Sequence, residues 1–126
     1  TPCGTLFPYT TLFRSAVEQR EIIELTSNEA TNVDLRQGNI FKVDLTKDIT
    51  FGCRLPKVGI YTFFFVQDST SSHSVTFPDS YKVANADGAP DFSSDSAGTI
   101  NIVSVLYDGS NYYITYTNNY VNIGSL

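Results

Sequence analysis

The sequence lacks methionine and tryptophan altogether, and it has only two cysteines and one histidine among 126 residues. A zinc site requires clustered cysteine and histidine, so this composition excludes one. Apolar runs are short: the longest, Ile60–Val66, has the length of a strand, whereas a membrane span needs about 18 apolar residues. Basic residues are also few, with 8 Lys and Arg against 13 Asp and Glu. A net charge of −5 offers no counterion-release gain, so we expect no nucleic-acid partner and no membrane insertion.

The N-terminal segment does not read as part of a fold. Residues 5–15, TLFPYTTLFRS, resemble the in-frame translation of a short-read sequencing adapter. Pro8 interrupts the segment, and its apolar residues have no turn or cap around them. Because an initiator methionine is also missing, we expect residues 1–15 to be a non-native, adapter-derived piece joined to a reading frame from a viral or environmental metagenome. A genuine apolar N-terminal strand is the alternative. A single domain is expected over residues 16–126.

Apolar residues recur with a period of two along most of the chain, which is typical of strands. Phe41, Val43 and Leu45 alternate with polar neighbours, and Asp108–Asn111 is a strong hairpin signal. The pattern predicts an all-β fold, an antiparallel β-sandwich or jelly-roll-like domain of about seven or eight strands. Strands are predicted at Glu21–Thr26, Phe41–Leu45, Ile49–Leu55, Ile60–Val66, His73–Phe77, Ile100–Tyr107 and Tyr112–Thr117, with a hairpin connection at Gln67–Ser72 and an outward loop at Ser80–Gly98.

No catalytic or metal-binding constellation stands out. Cys53 alternates in phase with apolar neighbours, which predicts a buried core residue rather than a nucleophile. His73 lies between two serines without the glycines of a nucleophile elbow, which predicts an exposed turn residue. The aspartates of the long loop could hold a cation, but no bidentate Glu completes the set, so a solvated loop is favoured. We therefore predict no enzyme, no catalytic residue, no cofactor and no metal. The four loop aspartates are Asp79, Asp87, Asp91 and Asp95.

Aromatic residues are abundant, with eight tyrosines and nine phenylalanines. The run Phe63–Phe65 makes its strand apolar on both faces, so one face is expected to serve the core and the other a neighbouring subunit. Phe63, Phe64 and Phe65 are thus the candidate subunit interface. Exposed tyrosines suit sugar stacking or protein contacts, so Tyr112, Tyr113 and Tyr116 on the last strand are the candidate recognition surface. Ordinary cross-strand packing is the alternative for these tyrosines.

Several segments together resemble a β-rich module of tailed-bacteriophage virion proteins. The resemblance runs in order from Thr31 to Tyr116, with serines at Ser69–Ser72 where the family often has glycines, and Tyr81 and Tyr112 or Tyr113 where it commonly has tryptophan. No motif in it is catalytic. The segments that carry it are Asn39–Leu45, Asp48–Phe51, Gly59–Asp68, Val75–Pro78, Ala89–Phe92 and Val105–Tyr113.

The resemblance implies a structural function. It implies a component of the virion, either a capsid decoration or head-fibre module or part of a tail fibre, that acts through protein–protein assembly. The expected partners are two further copies of the chain, in a homotrimer, and phage capsid or tail proteins. A carbohydrate- or receptor-binding module at a fibre tip, with a host surface glycan as ligand, is the alternative function.

Overall fold

The structure, a computed structural model, describes residues 21–84 and 88–125. The segment predicted to be adapter-derived, residues 1–15, lies outside the described residues, as do residues 16–20. No helix in the described ranges is long and apolar enough to cross a membrane. Short 3-10 turns occur at Glu29–Thr31 and Ile123–Ser125. The strands are β1 (Ile23–Leu25), β2 (Val33–Asp34), β3 (Ile40–Leu45), β4 (Ile49–Thr50), β5 (Cys53–Arg54), β6 (Gly59–Gln67), β7 (Val75–Thr76), β8 (Lys82–Val83), β9 (Ile100–Tyr107) and β10 (Tyr112–Tyr120).

The main sheet has six strands in the order β1-β3-β6-β9-β10-β8. β6 pairs antiparallel with β9, and β9 with β10, whereas β1 with β3, β3 with β6, and β8 with β10 pair in parallel. Two small parallel pairs, β2 with β5 and β4 with β7, complete the strands. The all-β prediction is confirmed, and so is the hairpin at Asp108–Asn111. Instead of seven or eight antiparallel strands, the described residues contain ten strands, six in a mixed main sheet and four in the two small parallel pairs.

An aromatic stack holds the small strand pairs against the main sheet. The rings of Phe41 and Phe63 on the main sheet stack with centroids 4.9 Å apart. Phe51, between β4 and β5, meets Phe63 edge-on at 4.9 Å, and Phe77 approaches Phe65 at 6.2 Å. Each of these five side chains is at most 5% exposed. Because such pairs add to the free energy gained by burial alone, the stack anchors the second layer.

The segment Ile49–Leu55, predicted as one strand, forms two strands in different sheets. The break follows from Gly52, where a Cβ atom would lie 2.5 Å from the carbonyl oxygen of Thr31. This close approach lets Gly52 donate its backbone N–H to Ala30 and turns the chain away from β7. Leu55 is half-exposed with φ 56° and is not in the core phase that the alternation predicted.

The predicted hairpin at Gln67–Ser72 is wrong, because β7 pairs with β4 and not with β6. The cause is the side chain of Gln67, which is 2% exposed. Its amide donates to the carbonyl oxygens of His73, at 2.9 Å, and Phe92, at 3.2 Å, and accepts from the backbone N–H of His73 at 2.8 Å. A side chain therefore takes the place of the backbone ladder that a hairpin would have formed.

The long loop Ser80–Gly98 is anchored to the core and is not simply displayed outward. It contains β8, and the side chains of Pro90, Phe92 and Asp95 are buried. Phe92 has no exposed surface, and its ring centroid lies 6.1 Å from that of Phe65. The sequence could not indicate this, because one aromatic residue in a polar segment gives no periodic signal.

We predict that Phe51→Ala lowers the free energy of unfolding by about 3–5 kcal/mol, because it removes the ring that joins the two layers and leaves a cavity. Val58→Ala is the control, since Val58 is 72% exposed and its truncation is expected to change stability by less than about 0.5 kcal/mol. Urea unfolding followed by tyrosine fluorescence measures both. Equal losses in the two variants would contradict the assigned core.

Candidate functional site

The main sheet has one face covered by the small strand pairs and one face that residues 21–84 and 88–125 leave uncovered. We call the second of these the outer face. It is formed by those side chains of the long strands β3, β6, β9 and β10 that point away from the small strand pairs. Phe64 is at its centre, with Lys42 and Ile102 as its cross-strand neighbours. No described segment is packed over it. Its members are Ile40, Lys42, Asp44, Ile60, Thr62, Phe64, Val66, Ile100, Ile102, Ser104, Leu106, Tyr113, Thr115, Thr117 and, beyond a bulge in β10, Tyr120.

The outer face is largely apolar and partly exposed. Ile60 is 57% exposed, Leu106 42% and Tyr113 38%, and these three side chains form one row across β6, β9 and β10. Phe64 and Val66 are half-buried by their neighbours on the sheet. Exposed apolar surface of this kind makes the outer face a candidate interaction site.

The three phenylalanines of the predicted interface do not share a face. Phe63 and Phe65 have no exposed surface and belong to the domain's own core. Phe64 alone lies on the outer face, because successive side chains of a strand point to opposite sides. Of the three residues of the predicted interface, only Phe64 therefore remains a candidate, together with the apolar residues around it on the outer face.

The three tyrosines of the predicted recognition surface are also divided between faces. Tyr112 lies against the rings of Tyr81 and Tyr107, at 4.7 Å from each, and Tyr116 lies 6.5 Å from Phe92. These contacts are the cross-strand packing considered as the alternative. The structure does not bring Tyr112 and Tyr116 together with the third tyrosine on one surface.

Tyr113 is the tyrosine that lies on the outer face. Its hydroxyl donates to Asp108 Oδ2 at 3.0 Å, which raises the pKa of Tyr113. Asp108 also accepts from the backbone N–H groups of Asn111 and Ser110, and these bonds lower the pKa of its carboxyl. The ring is therefore held in place at the end of the hairpin.

Cys53 is packed at the edge of the core. Its sulfur lies 3.0 Å from the hydroxyl of Tyr81, and the residue is half-buried. Burial raises the pKa of the Cys53 thiol, although its hydrogen bonds with Tyr81 and Tyr112 oppose the shift. A raised pKa disfavours the thiolate, which agrees with the prediction of a structural cysteine.

We predict that Cys53 reacts slowly with a thiol reagent in the folded protein. In a Cys3→Ser variant, which leaves Cys53 as the one thiol, modification by a disulfide reagent at neutral pH is expected to be at least about tenfold slower than in urea. Absorbance of the released thiolate measures both rates. Equal rates in the two states would show that Cys53 is accessible and contradict its packing.

His73 is less exposed than predicted. Its ring Nδ1 lies 3.7 Å from Asp48 Oδ1, and its Nε2 lies 3.2 Å from Ser71 Oγ and 3.8 Å from Asp68 Oδ2. Its side chain is only 17% exposed, and it lies between the turn that precedes β4 and the segment that precedes β7. In the described ranges no three His, Cys, Asp or Glu residues are grouped so as to hold a metal ion.

The predicted acidic loop does not converge on one point. Asp91 bonds Ser93 within its own turn, and these hydrogen bonds lower the pKa of its carboxyl. Asp95 accepts from Asn118 at 3.1 Å on β10. Asp87 lies outside the described residues. The contacts of Asp91 and Asp95 anchor the loop.

A cleft lies at the end of the sheet where β3 and β6 begin. We call it the end cleft; its volume is about 390 Å³. Arg36 and Lys57 supply its positive charge. Sequence reasoning missed it, because its residues come from separate segments that show no local motif. It is lined by Leu35, Arg36, Gly38, Asn39, Lys57, Val58 and Tyr61.

An ion pair fixes one wall of the end cleft. The guanidinium of Arg36 donates from Nε and Nη2 to the two carboxylate oxygens of Asp34, at 3.0 and 2.8 Å. These bonds hold the pKa of Asp34 well below its usual range, so the carboxyl stays ionised. Arg54 lies 3.7 Å from the same carboxylate, because β2 and β5 pair Asp34 with Arg54. One negative charge is thus shared by two positive ones.

Comparison with known proteins gives one family. Residues 20–112, about three quarters of the chain, match the family described as "Putative phage tail fibre C-terminal domain". No curated protein and no solved structure gave a match.

Proposed function

Because the chain belongs to the family of phage tail fibre C-terminal domains, it is a structural component of the phage virion, and we propose that it assembles as a homotrimer through the outer face. The family is a structural one. It supports the tail-fibre alternative over a capsid decoration or head fibre. The observation that carries the proposed assembly is the uncovered apolar surface around Phe64.

The size of the outer face fits a subunit interface. β6 and β10 each span nine residues, which is about 30 Å at a rise of about 3.3 Å per residue. Four long strands at a spacing of about 4.8 Å give a width of about 19 Å, and hence a face of about 600 Å². Three such faces turned toward one axis bury about 1,800 Å² in total, or about 600 Å² between each pair of subunits, so the assembly as a whole, and not one pair alone, reaches the range of about 1,200–2,000 Å² for a stable interface.

One such face on each subunit is sufficient to build a closed trimer. When the three faces point toward a common axis, each meets both neighbours, and the rotation closes without leaving a free copy of the surface. The charged members of the face lie on β3, where Lys42 and Asp44 stand at its side. The apolar centre is then desolvated while these charges remain at the rim, as in other interfaces.

We predict that Ile60→Glu and Leu106→Glu, made singly, each convert the trimer into monomers of 13.9 kDa. Both side chains are about half-exposed in one subunit, so the fold should tolerate the change. Burying an unpaired carboxylate in the interface costs several kcal/mol. Light scattering after size exclusion measures the mass.

Val58→Glu is the matched control, because it makes the same change at an exposed apolar residue outside the outer face. It should leave the trimer intact. A wild-type chain that stays monomeric at virion-like concentration contradicts the proposal. A dimer that the same two variants dissociate would keep the face but contradict the homotrimer.

A second candidate function is glycan or receptor recognition. The observation that favours it is Tyr113, whose ring is 38% exposed and whose hydroxyl is held by Asp108. An immobilised tyrosine offers a flat apolar surface at low entropic cost. In this case the row formed by Ile60, Leu106 and Tyr113 faces a ligand instead of another subunit.

We predict for this candidate that a glycan bound by the wild-type chain on a glycan array is lost with Tyr113→Ala, because the stacking surface is removed. Tyr120→Ala is the control, since Tyr120 is 46% exposed on the same strand. An array without any signal for the wild-type chain, or equal signals for both variants, removes this candidate.

A further inference from the structure

We propose that the Asp108–Gly109 bond is a site of spontaneous isomerisation to isoaspartate, and that the hydroxyl of Tyr113 restrains this reaction in the folded domain. The bond lies in the exposed turn between β9 and β10, where water reaches it. Aspartate before glycine is the most reactive pair for this chemistry, because glycine has no side chain to hinder the attack. The contacts that carry the proposal lie within one subunit, so it does not depend on the oligomeric state proposed above.

The reaction needs no reactant other than water. The backbone nitrogen of Gly109 attacks the side-chain carbon Cγ of Asp108, and a C–N bond forms while the carboxyl hydroxyl leaves with the amide proton as water. The product is a cyclic succinimide. Water then opens the ring: cleavage at the side-chain carbonyl restores aspartate, and cleavage at the backbone carbonyl gives isoaspartate, whose main chain runs through Cβ and Cγ. No electrons are exchanged, and the mass of the chain does not change.

Hydrogen bonds hold the carboxylate of Asp108 away from this attack. Its Oδ1 accepts from the backbone N–H groups of Ser110, at 2.8 Å, and Asn111, at 2.7 Å. Its Oδ2 accepts from the hydroxyl of Tyr113 at 3.0 Å. The side chain must rotate before Cγ can meet the nitrogen of Gly109, and rotation breaks these bonds. Each donor therefore raises the barrier to ring closure.

The same hydrogen bonds keep the carboxyl ionised. They lower the pKa of Asp108, with the backbone N–H groups of Asn111 and Ser110 as the largest causes and the hydroxyl of Tyr113 as a smaller one. An ionised carboxylate reacts poorly with a nucleophile, because ring closure must expel an oxygen that the protonated acid releases as water. Loss of the Tyr113 hydroxyl therefore favours the reaction in two ways: it frees the side chain, and it increases the protonated fraction.

The glycine of the pair is required by the turn. Gly109 has φ 103°, a conformation that residues with a Cβ atom rarely adopt. Its carbonyl oxygen accepts from the hydroxyl of Tyr107 at 2.8 Å, and the ring of Tyr107 packs on that of Tyr112. The backbone N–H of Asp108 closes the turn, because it donates to the carbonyl oxygen of Asn111 at 3.2 Å. The residue that gives the turn its shape is thus also the one that makes the bond reactive.

Isomerisation changes the outer face, because Tyr113 is tied to the reacting residue. Isoaspartate carries its carboxylate on Cα, so the group moves and the main chain of the turn lengthens. The three donors that now meet at the carboxylate of Asp108 then lose their common acceptor. Tyr113 forms the exposed row of the outer face with Ile60 and Leu106. The chemical age of the turn is therefore coupled to the shape of this surface.

The test is storage of the full chain in mildly acidic buffer, followed by proteolysis and mass spectrometry with electron-transfer fragmentation, which distinguishes isoaspartate from aspartate. We expect Tyr113→Phe to form isoaspartate at position 108 about three- to tenfold faster than the wild-type chain, because a hydrogen bond to a charged group is lost. The wild-type chain in urea should react at least as fast as this variant. Tyr120→Phe is the matched control, since it makes the same change at the other end of β10, opposite Ile100.

The variant keeps the ring of Tyr113, which is 38% exposed, so urea unfolding curves should match those of the wild-type chain. Faster reaction in Tyr113→Phe at unchanged stability, with Tyr120→Phe equal to wild type, supports the proposal. It is overturned if folded and urea-unfolded wild-type chains react at the same rate, if Tyr113→Phe is no faster than wild type, or if both tyrosine variants are accelerated alike.

Discussion

The pleat of β6 is the constraint on which the rest of the structure depends. This strand pairs along both edges, with β3 and β9, so it cannot rotate to bury all of its apolar side chains on one side. Phe63 and Phe65 must then point into the domain, and Phe64 must point out. Phe63 and Phe65 supply the rings on which the second layer packs, and Phe64 contributes to the apolar surface of the outer face. A one-residue shift in the register of β6 would turn its inward side chains outward and its outward side chains inward.

Period-two alternation predicted the long strands well, because each lies between a core and an open face. β3, β6, β9 and β10 all occur where the pattern placed them. Strand pairing was less predictable, since it depends on contacts between distant residues. Gly52 against Thr31 breaks the predicted strand at Ile49–Leu55, and the buried amide of Gln67 replaces the predicted hairpin. Neither effect has a signature in the local sequence.

The candidate sites were also predictable to different degrees, because a local pattern is visible in the sequence and a contact between distant residues is not. The apolar run at Phe63–Phe65 indicated a second apolar face, which is the outer face. The cluster of tyrosines near the end of the chain indicated a shared surface, but alternation along β10 separates Tyr113 from Tyr112 and Tyr116. The end cleft gave no sequence signal, because Arg36 and Lys57 are brought together by the pairing of β2 with β5 and by the start of β6.

Hydroxyl-radical footprinting with mass spectrometry tests most directly whether other copies of the chain cover the outer face. In a single subunit, Ile60, Leu106 and Tyr113 are exposed enough to be oxidised, as is Val58 outside this face. If the face is buried by assembly, the first three should be protected in the concentrated chain and become reactive on dilution, while Val58 reacts equally in both conditions. Oxidation of all four residues at the same rate at every concentration would contradict the assembly proposed for this face.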